Sequence, residues 1–194
     1  MGQTKPNIEK IYITASQLLQ DSFRLAHEIH RSGFSPDFIV GIWRGGTPVG
    51  VAIQEYFEYV GESSDHIAVR TSAYAGIGQL SKVIQVHGLH YIVEEANAND
   101  SLLIVDDVFD SGSSIEALLK ELGEKMRLNL PRTIKIATPW YKPGNNKTDL
   151  VPDYYIHETD EWIVFPHELD GLTPEEIAQG KTELAPIMDI FKQG

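Results

Sequence analysis

The sequence predicts an α/β fold, a central, mostly parallel, twisted sheet with helices on both faces. Three observations predict it. Short continuous apolar runs at Phe38–Ile42 and Leu102–Val105 read as buried strands, with a further strand at Ile134–Thr138. Segments with apolar residues at helical spacing separate them. Strand–helix alternation of this kind implies right-handed crossovers, which return each strand parallel to the one before. The 194 residues, 42% of them hydrophobic, suit one compact domain with a small appendage and supply a sizeable core.

The elements follow in order. Thr14 and Gln17 have capping-box spacing, and Leu18, Leu19, Ser22, Ala26 and Ile29 then mark one helical face. Gly33 and Pro36 stop that helix. After the strand Phe38–Ile42 comes the turn Arg44-Gly45-Gly46-Thr47-Pro48, with Pro48 suited to a first helical position. The next helix shows Val49, Ala52, Ile53, Tyr56 and Val60 on one face and ends at Gly61. A strand is expected at Ile67–Thr71. The stretch Ser72–Gly88 is polar, holds three glycines, and has a candidate strand at Val83–Val86. Leu102–Val105 leads into a helix marked by Ile115, Leu118, Leu119 and Leu122 and closed by Gly123. The strand Ile134–Thr138 follows. The tail carries aromatic strands at Asp153–His157 and Trp162–Phe165 and a small helix from Pro174. The expected organisation is a core over residues 1–138 and a hood over 139–194, with residues 1–15 a candidate addition to the hood.

Bulk charge narrows the function classes. With 28 acidic against 16 basic residues and a net charge of −12, the chain lacks the basic face that a nucleic-acid partner needs. An anionic small molecule remains compatible, where backbone N–H groups and a few basic side chains converge in one cleft. No cysteine is present, which excludes disulfides and thiolate–metal sites. The N-terminus lacks an apolar signal core, and no apolar run approaches the ~20 residues of a membrane span. The expectation is a cytoplasmic protein without a membrane partner.

The richest segment is Leu102-Leu-Ile-Val-Asp-Asp-Val-Phe-Asp-Ser-Gly-Ser-Ser114. In a parallel sheet, ligands collect beyond the carboxyl ends of the strands. Asp106 and Asp107 stand at such an end, and Asp110-Ser111-Gly112-Ser113-Ser114 enters a helix N-terminus. Small residues let the backbone wrap an anion, and the first-turn N–H groups and the helix dipole favour negative charge. Two acids beside a phosphate would repel it. They make sense if they accept hydrogen bonds from sugar hydroxyls or hold Mg²⁺. A ribose 5-phosphate supplies phosphate and diol together.

This segment resembles the 5-phosphoribosyl-1-pyrophosphate (PRPP) signature of the type I phosphoribosyltransferases: an apolar strand, two acids, two apolar residues, then Asp-Ser-Gly. The resemblance extends over roughly residues 35–168 and implies the type I phosphoribosyltransferase fold with a small C-terminal hood. It implies that Asp106, Asp107, Asp110, Ser111, Gly112, Ser113 and Ser114 bind the ribose and its phosphate. It also makes Asp110 the candidate general base, or acceptor, at purine N7. Asp106 and Asp107 become candidate Mg²⁺ ligands, with Glu168 as a further candidate. Arg44 and Gly45 fall where the family binds pyrophosphate, often beside a non-proline cis peptide. Ser72–Gly88 resembles the family's flexible catalytic loop. Ala73-Tyr74 stands where purine members often show Ser-Tyr, so Ser72 and Tyr74 are its candidate residues.

The tail resembles the base-binding hood of the 6-oxopurine (hypoxanthine, guanine, xanthine) members. By that likeness Lys142 donates to the 6-oxo group, Trp162 stacks on the ring, and the backbone of Ile163 meets its 2-position edge. A lysine donates to an oxo group and cannot accept from an amino group, which disfavours adenine. The family pattern of Pro-Trp is Pro166-His167 in this chain. The implied reaction is purine salvage: a 6-oxopurine and PRPP give a nucleoside 5′-monophosphate and pyrophosphate. Relatives are commonly homodimers or homotetramers. The alternative is a non-catalytic regulator on the same fold that senses PRPP or a nucleotide.

Overall fold

The structure, a computed structural model, describes residues 10–74 and 83–191. In chain order the elements are β1 (Lys10–Tyr12), α1 (Ala15–Arg31), β2 (Phe38–Trp43), α2 (Gly46–Tyr59), β3 (Asp65–Tyr74), β4 (Val83–His87), α3 (His90–Glu95), β5 (Ser101–Val105), β6 (Val108–Phe109), α4 (Ser113–Met126), β7 (Thr133–Tyr141), β8 (Tyr154–Glu158), β9 (Trp162–Val164) and α5 (Pro174–Gly180). They form two compact units. One is Leu19–Asp160; the other joins the N-terminal segment up to Leu18 with the chain from Glu161 onward. The expected division at residue 138 falls inside β7, and residues 139–160 lie in the larger unit.

The larger unit is the predicted α/β layer structure. Among the described residues its sheet has seven strands, ordered β4-β3-β2-β5-β7-β6 with β8 also beside β7. All pairings are parallel except β3 with β4. The apolar runs Phe38–Ile42 and Leu102–Val105 form β2 and β5 at the centre, as strands covered on both faces must, and the expected strand Ile134–Thr138 lies in β7 beside β5. Pro139 lies in β7 between its ladder with β5, which ends at Ala137, and its ladder with β6, which begins at Trp140. On its other edge the ladder with β8 pairs Thr138 and Trp140 but skips Pro139, so the proline falls at a gap in the pairing on both sides. On one face Val40, Ile42, Leu102, Ile104 and Ile136 meet Ile115, Leu118, Leu122 and Met126 of α4 and Ile92 of α3. Each such fully buried aliphatic side chain contributes roughly 1.5–3 kcal/mol. On the other face α2 packs along β2.

Several expectations shift by a residue or a turn. The Thr14 hydroxyl caps α1 by accepting the Gln17 N–H at 3.1 Å, but Leu19, predicted on the apolar face, is exposed. α2 starts at Gly46, so Pro48 is its third residue and not its first. That costs nothing, because the first-turn N–H groups have no intrahelical acceptor. Phe57 is fully buried on α2, where the spacing had picked Tyr56. α4 runs through Gly123 to Met126, because Met126 continues the buried stripe one turn further. β3 extends beyond Thr71 to Tyr74, which places Ser72 in a strand. Residues 75–82 of the expected catalytic loop lie outside the described residues.

In the smaller unit, β1 pairs parallel with β9, Lys10 opposite Trp162 and Ile11 opposite Ile163. The small helix predicted from Pro174 is α5. A full capping box starts it: the Glu176 N–H donates to the Thr173 hydroxyl at 3.2 Å, and the Thr173 N–H to the Glu176 carboxylate at 2.9 Å. Among the described residues, no helix is long and apolar enough to cross a membrane.

Candidate active site

The carboxyl ends of β2 and β5 bring two of the predicted motifs into contact. β2 ends at Trp43, and the Trp43–Arg44 peptide is cis. The chain then turns through Gly45 into α2. β5 ends at Val105, followed by Asp106 and Asp107. Gly45 lies directly against the Asp107 side chain: a Cβ on it would sit 1.8 Å from Oδ2. Gly46 lies against β5 itself, where a Cβ would come 2.2 Å from the Val105 carbonyl oxygen. The two glycines thus seat the Arg44–Gly46 turn on the acid pair, and Arg44 is exposed beside it. Side chains on either glycine would hold the two motifs apart.

Asp106 and Asp107 differ electrostatically. Burial, and then the neighbouring Asp107 charge, raise the Asp106 carboxyl well above the ordinary carboxylate range. The N–H groups of Asp107 and Gly46 donate to it and offset part of that rise; the first spans 3.0 Å. Asp107 is 7% exposed. Two acids so close favour a cation. Mg²⁺ takes one or two carboxylates and completes its octahedron with waters and substrate oxygens, so this pair fits the ion. Among the described residues no group of three or more His, Asp or Glu side chains is placed to hold a metal.

The raised Asp106 carboxyl has a consequence for stability. Between the unfolded-chain value and the raised native value, the native state keeps a proton that the unfolded chain has released, so stability falls as pH rises through that window. Above it the full penalty persists. Asp106→Asn removes it. In metal-free buffer at neutral pH this variant is expected to melt higher than the native protein, by about 2–4 °C per kcal/mol regained. The gain should shrink as pH falls toward 4. Thermal scans across pH read both; an Asp106→Asn Tm at or below the native one at neutral pH refutes the assignment.

The serine loop follows β6. Gly112 caps α4 with φ +74, a conformation glycine adopts without strain. Its open Cα face also lets the Thr148 hydroxyl and the Phe109 ring close in, since a Cβ would meet them at 2.5 and 2.9 Å. The Ser111 hydroxyl bonds the Ser113 hydroxyl at 3.2 Å, and Thr71 of β3 reaches Ser114 at 3.5 Å. A cavity of about 190 Å³ opens here, lined by Asp106, Asp110, Ser111, Gly112 and Ser114 with Phe109 and Ile115 as its apolar side. Ser72 bonds His87 of the neighbouring strand at 3.3 Å and is not among its lining residues.

Lys142 follows β7 and is buried, its N–H bonded to the Phe109 carbonyl at 2.9 Å. Its ammonium stands 3.8 Å from the Asp110 carboxylate. The structure therefore brings Asp106, Asp107, Asp110, the serine loop, Gly45 and Lys142 together at one end of the sheet. Trp162, Ile163 and Glu168 belong to the smaller unit. There Trp162 is 55% exposed and Ile163 is buried. Glu168 accepts the Phe165 N–H at 3.0 Å, and Lys181 donates to the Phe165 carbonyl at 2.6 Å. Sequence reasoning missed the segment after Lys142. Lys147 donates its N–H to the Ser111 carbonyl at 3.0 Å, and Asn146 organises Thr148 through its side-chain oxygen. The Asn146-Lys-Thr-Asp149 run of turn formers was the only signal.

A family model described as the phosphoribosyl transferase domain matches residues 12–170. The purine phosphoribosyltransferase of Pyrococcus horikoshii Ot3 is 30% identical, with a TM-score of 0.65 over 84% of this chain and 97% of that one. A Neisseria gonorrhoeae protein with bound ppGpp shares the fold at 22% identity, TM-score 0.73, over 92% and 99% of the two chains. So does the Helicobacter pylori xanthine-guanine-hypoxanthine phosphoribosyltransferase, at 19% identity and TM-score 0.63, over 84% and 95%. No curated protein sequence matches the chain.

Proposed function

Because the chain belongs to the phosphoribosyl transferase domain family, we propose that it is a purine salvage enzyme that joins a 6-oxopurine to PRPP. The products are the nucleoside 5′-monophosphate and pyrophosphate. The carrying observation is the buried Lys142 ammonium 3.8 Å from Asp110 beside the cavity of the serine loop. A buried cationic donor and an acceptor at that spacing match the two polar atoms on one edge of a 6-oxopurine, O6 and N7.

The roles follow from the chemistry. The serine loop and the first turn of α4 take the 5-phosphate. Arg44 and the Gly45 turn take the pyrophosphate, which departs with the bonding pair of the C1′–O bond. Asp106 and Asp107 hold the ribose hydroxyls and would hold Mg²⁺, which supplies charge neutralisation for the pyrophosphate. As C1′ becomes cationic and purine N9 bonds to it, Asp110 takes the proton from N7. Lys142 donates to O6 and so orients the base for attack.

A pyrophosphate-release assay with PRPP, Mg²⁺ and a panel of hypoxanthine, guanine, xanthine, adenine and orotate tests this. Turnover is expected with one or more of the first three. Silence with all purines strikes out the reading and favours a ligand-sensing role. Lys142→Met keeps the stem and removes the donor. It is expected to raise the purine KM by about 10- to 150-fold, the worth of a hydrogen bond from a charged group, about 1.5–3 kcal/mol. An unchanged KM would remove Lys142 from base recognition.

A further inference from the structure

We propose that Asp160, which no motif marks, is a positioning residue that fixes Lys142 and braces the phosphate loop from behind. The inference rests on the function proposed above. Lys142 sits at the start of a short turn, Pro143–Asn145, and nothing apolar anchors that turn: Pro143, Gly144 and Asn145 are all exposed. Its order comes from polar contacts. The Asp160 carboxylate accepts the Gly144 N–H at 2.8 Å. Gly144 is pressed onto that carboxylate, since a Cβ would fall 2.6–2.9 Å from its three atoms. The Asn145 N–H closes back on the Lys142 carbonyl at 3.2 Å, and Thr159, beside Asp160, donates to the Tyr141 carbonyl at 3.0 Å. Lys142 is thereby gripped from both sides along the chain.

The same segment continues to the phosphate loop. Asn146 bonds the N–H and hydroxyl of Thr148 at 2.9 and 3.0 Å and the Leu150 carbonyl at 2.7 Å. Lys147 donates to the Ser111 carbonyl, and Thr148 fills the space over Gly112. The chain from Lys142 to Thr148 is therefore one hydrogen-bonded strap. Its first end presents a donor to the base, and its second supports the loop that takes the phosphate. Asp160 is the clamp at the first end. A carboxylate accepts the Gly144 N–H strongly, and an asparagine oxygen retains the acceptor without the charge.

Two variants and two readouts test this. In Asp160→Ala, exchange of the Gly144 amide proton, followed without substrate, is expected to speed up by about tenfold or more, the worth of one hydrogen bond. The purine KM should rise by a similar factor, about tenfold, with kcat and PRPP KM changing less, because only Lys142 loses its position. Asp160→Asn should restore both readouts to within about threefold of the native protein. A merely structural Asp160 would lower Tm and move all kinetic constants together, and that result overturns the proposal. So does faster Gly144 exchange with an unchanged purine KM. Unchanged Gly144 exchange in Asp160→Ala strikes the clamp alone, whereas a native protein silent with every purine strikes the function on which it rests.

Discussion

Asp110→Asn is expected to lower kcat by about 10²- to 10⁴-fold, the usual contribution of a positioned general base, while the purine KM changes little. Asparagine keeps an oxygen that accepts a hydrogen bond from purine N7–H but cannot take its proton. Binding therefore survives and the chemical step does not, which is the signature of an interaction realised only in the transition state. The fold should tolerate the change. Asp110 is half exposed, and its ion pair with Lys142 at 3.8 Å is long. Such a screened pair contributes about 0–1 kcal/mol, so Tm should hold. Steady-state kinetics with the preferred base separate the outcomes. Full kcat in Asp110→Asn would move the proton to water or another group; a large loss of Tm would make Asp110 structural.

That residue was legible in the sequence because its chemistry is local. Asp106, Asp107, Asp110 and the serines follow one another along a strand end, a turn and a helix start, so spacing alone sets their geometry. The central strands β2 and β5 were legible for the same reason: each is a continuous apolar run that two-sided burial explains. What escaped depends on partners distant in the chain. α3 has six residues and one fully buried position, Ile92, too few for a periodicity to show. β1 is a strand because β9 pairs with it from the far end of the chain. Asp160 is an unremarkable acid until the backbone brings Gly144 onto it. Gly45 falls where the resemblance places pyrophosphate, yet its φ of −66 suits any amino acid. Its requirement is the space that Asp107 takes, which no sequence pattern reports.

Two substitutions in that turn should separate binding from folding. Gly45→Ala is expected to lower kcat/KM for PRPP by about 100-fold, the cost of a roughly 1 Å misplacement at a reacting site, with little change in Tm. With φ −66 and ψ −35, alanine fits the Gly45 backbone without strain, and it loses less conformational entropy on folding than glycine, a gain of about 0.4–1 kcal/mol. The nearest atoms to the new methyl are those of the Asp107 carboxylate, at 1.8–2.5 Å. A side chain can swing away, so the acid moves and the ribose loses its acceptor. One residue later the obstacle is main chain. A methyl on Gly46 meets the Val105 carbonyl at 2.2 Å and the Asp106 Cα at 2.8 Å. Neither can move without lifting the first turn of α2 from the end of β5. Gly46→Ala should therefore destabilise the fold, by about 1–3 kcal/mol as overpacked cores do. Thermal melting and PRPP kinetics on both variants decide the matter. Gly45→Ala with native PRPP kinetics would show that the Asp107 carboxylate has no part in the site, whatever Gly46→Ala does to the fold.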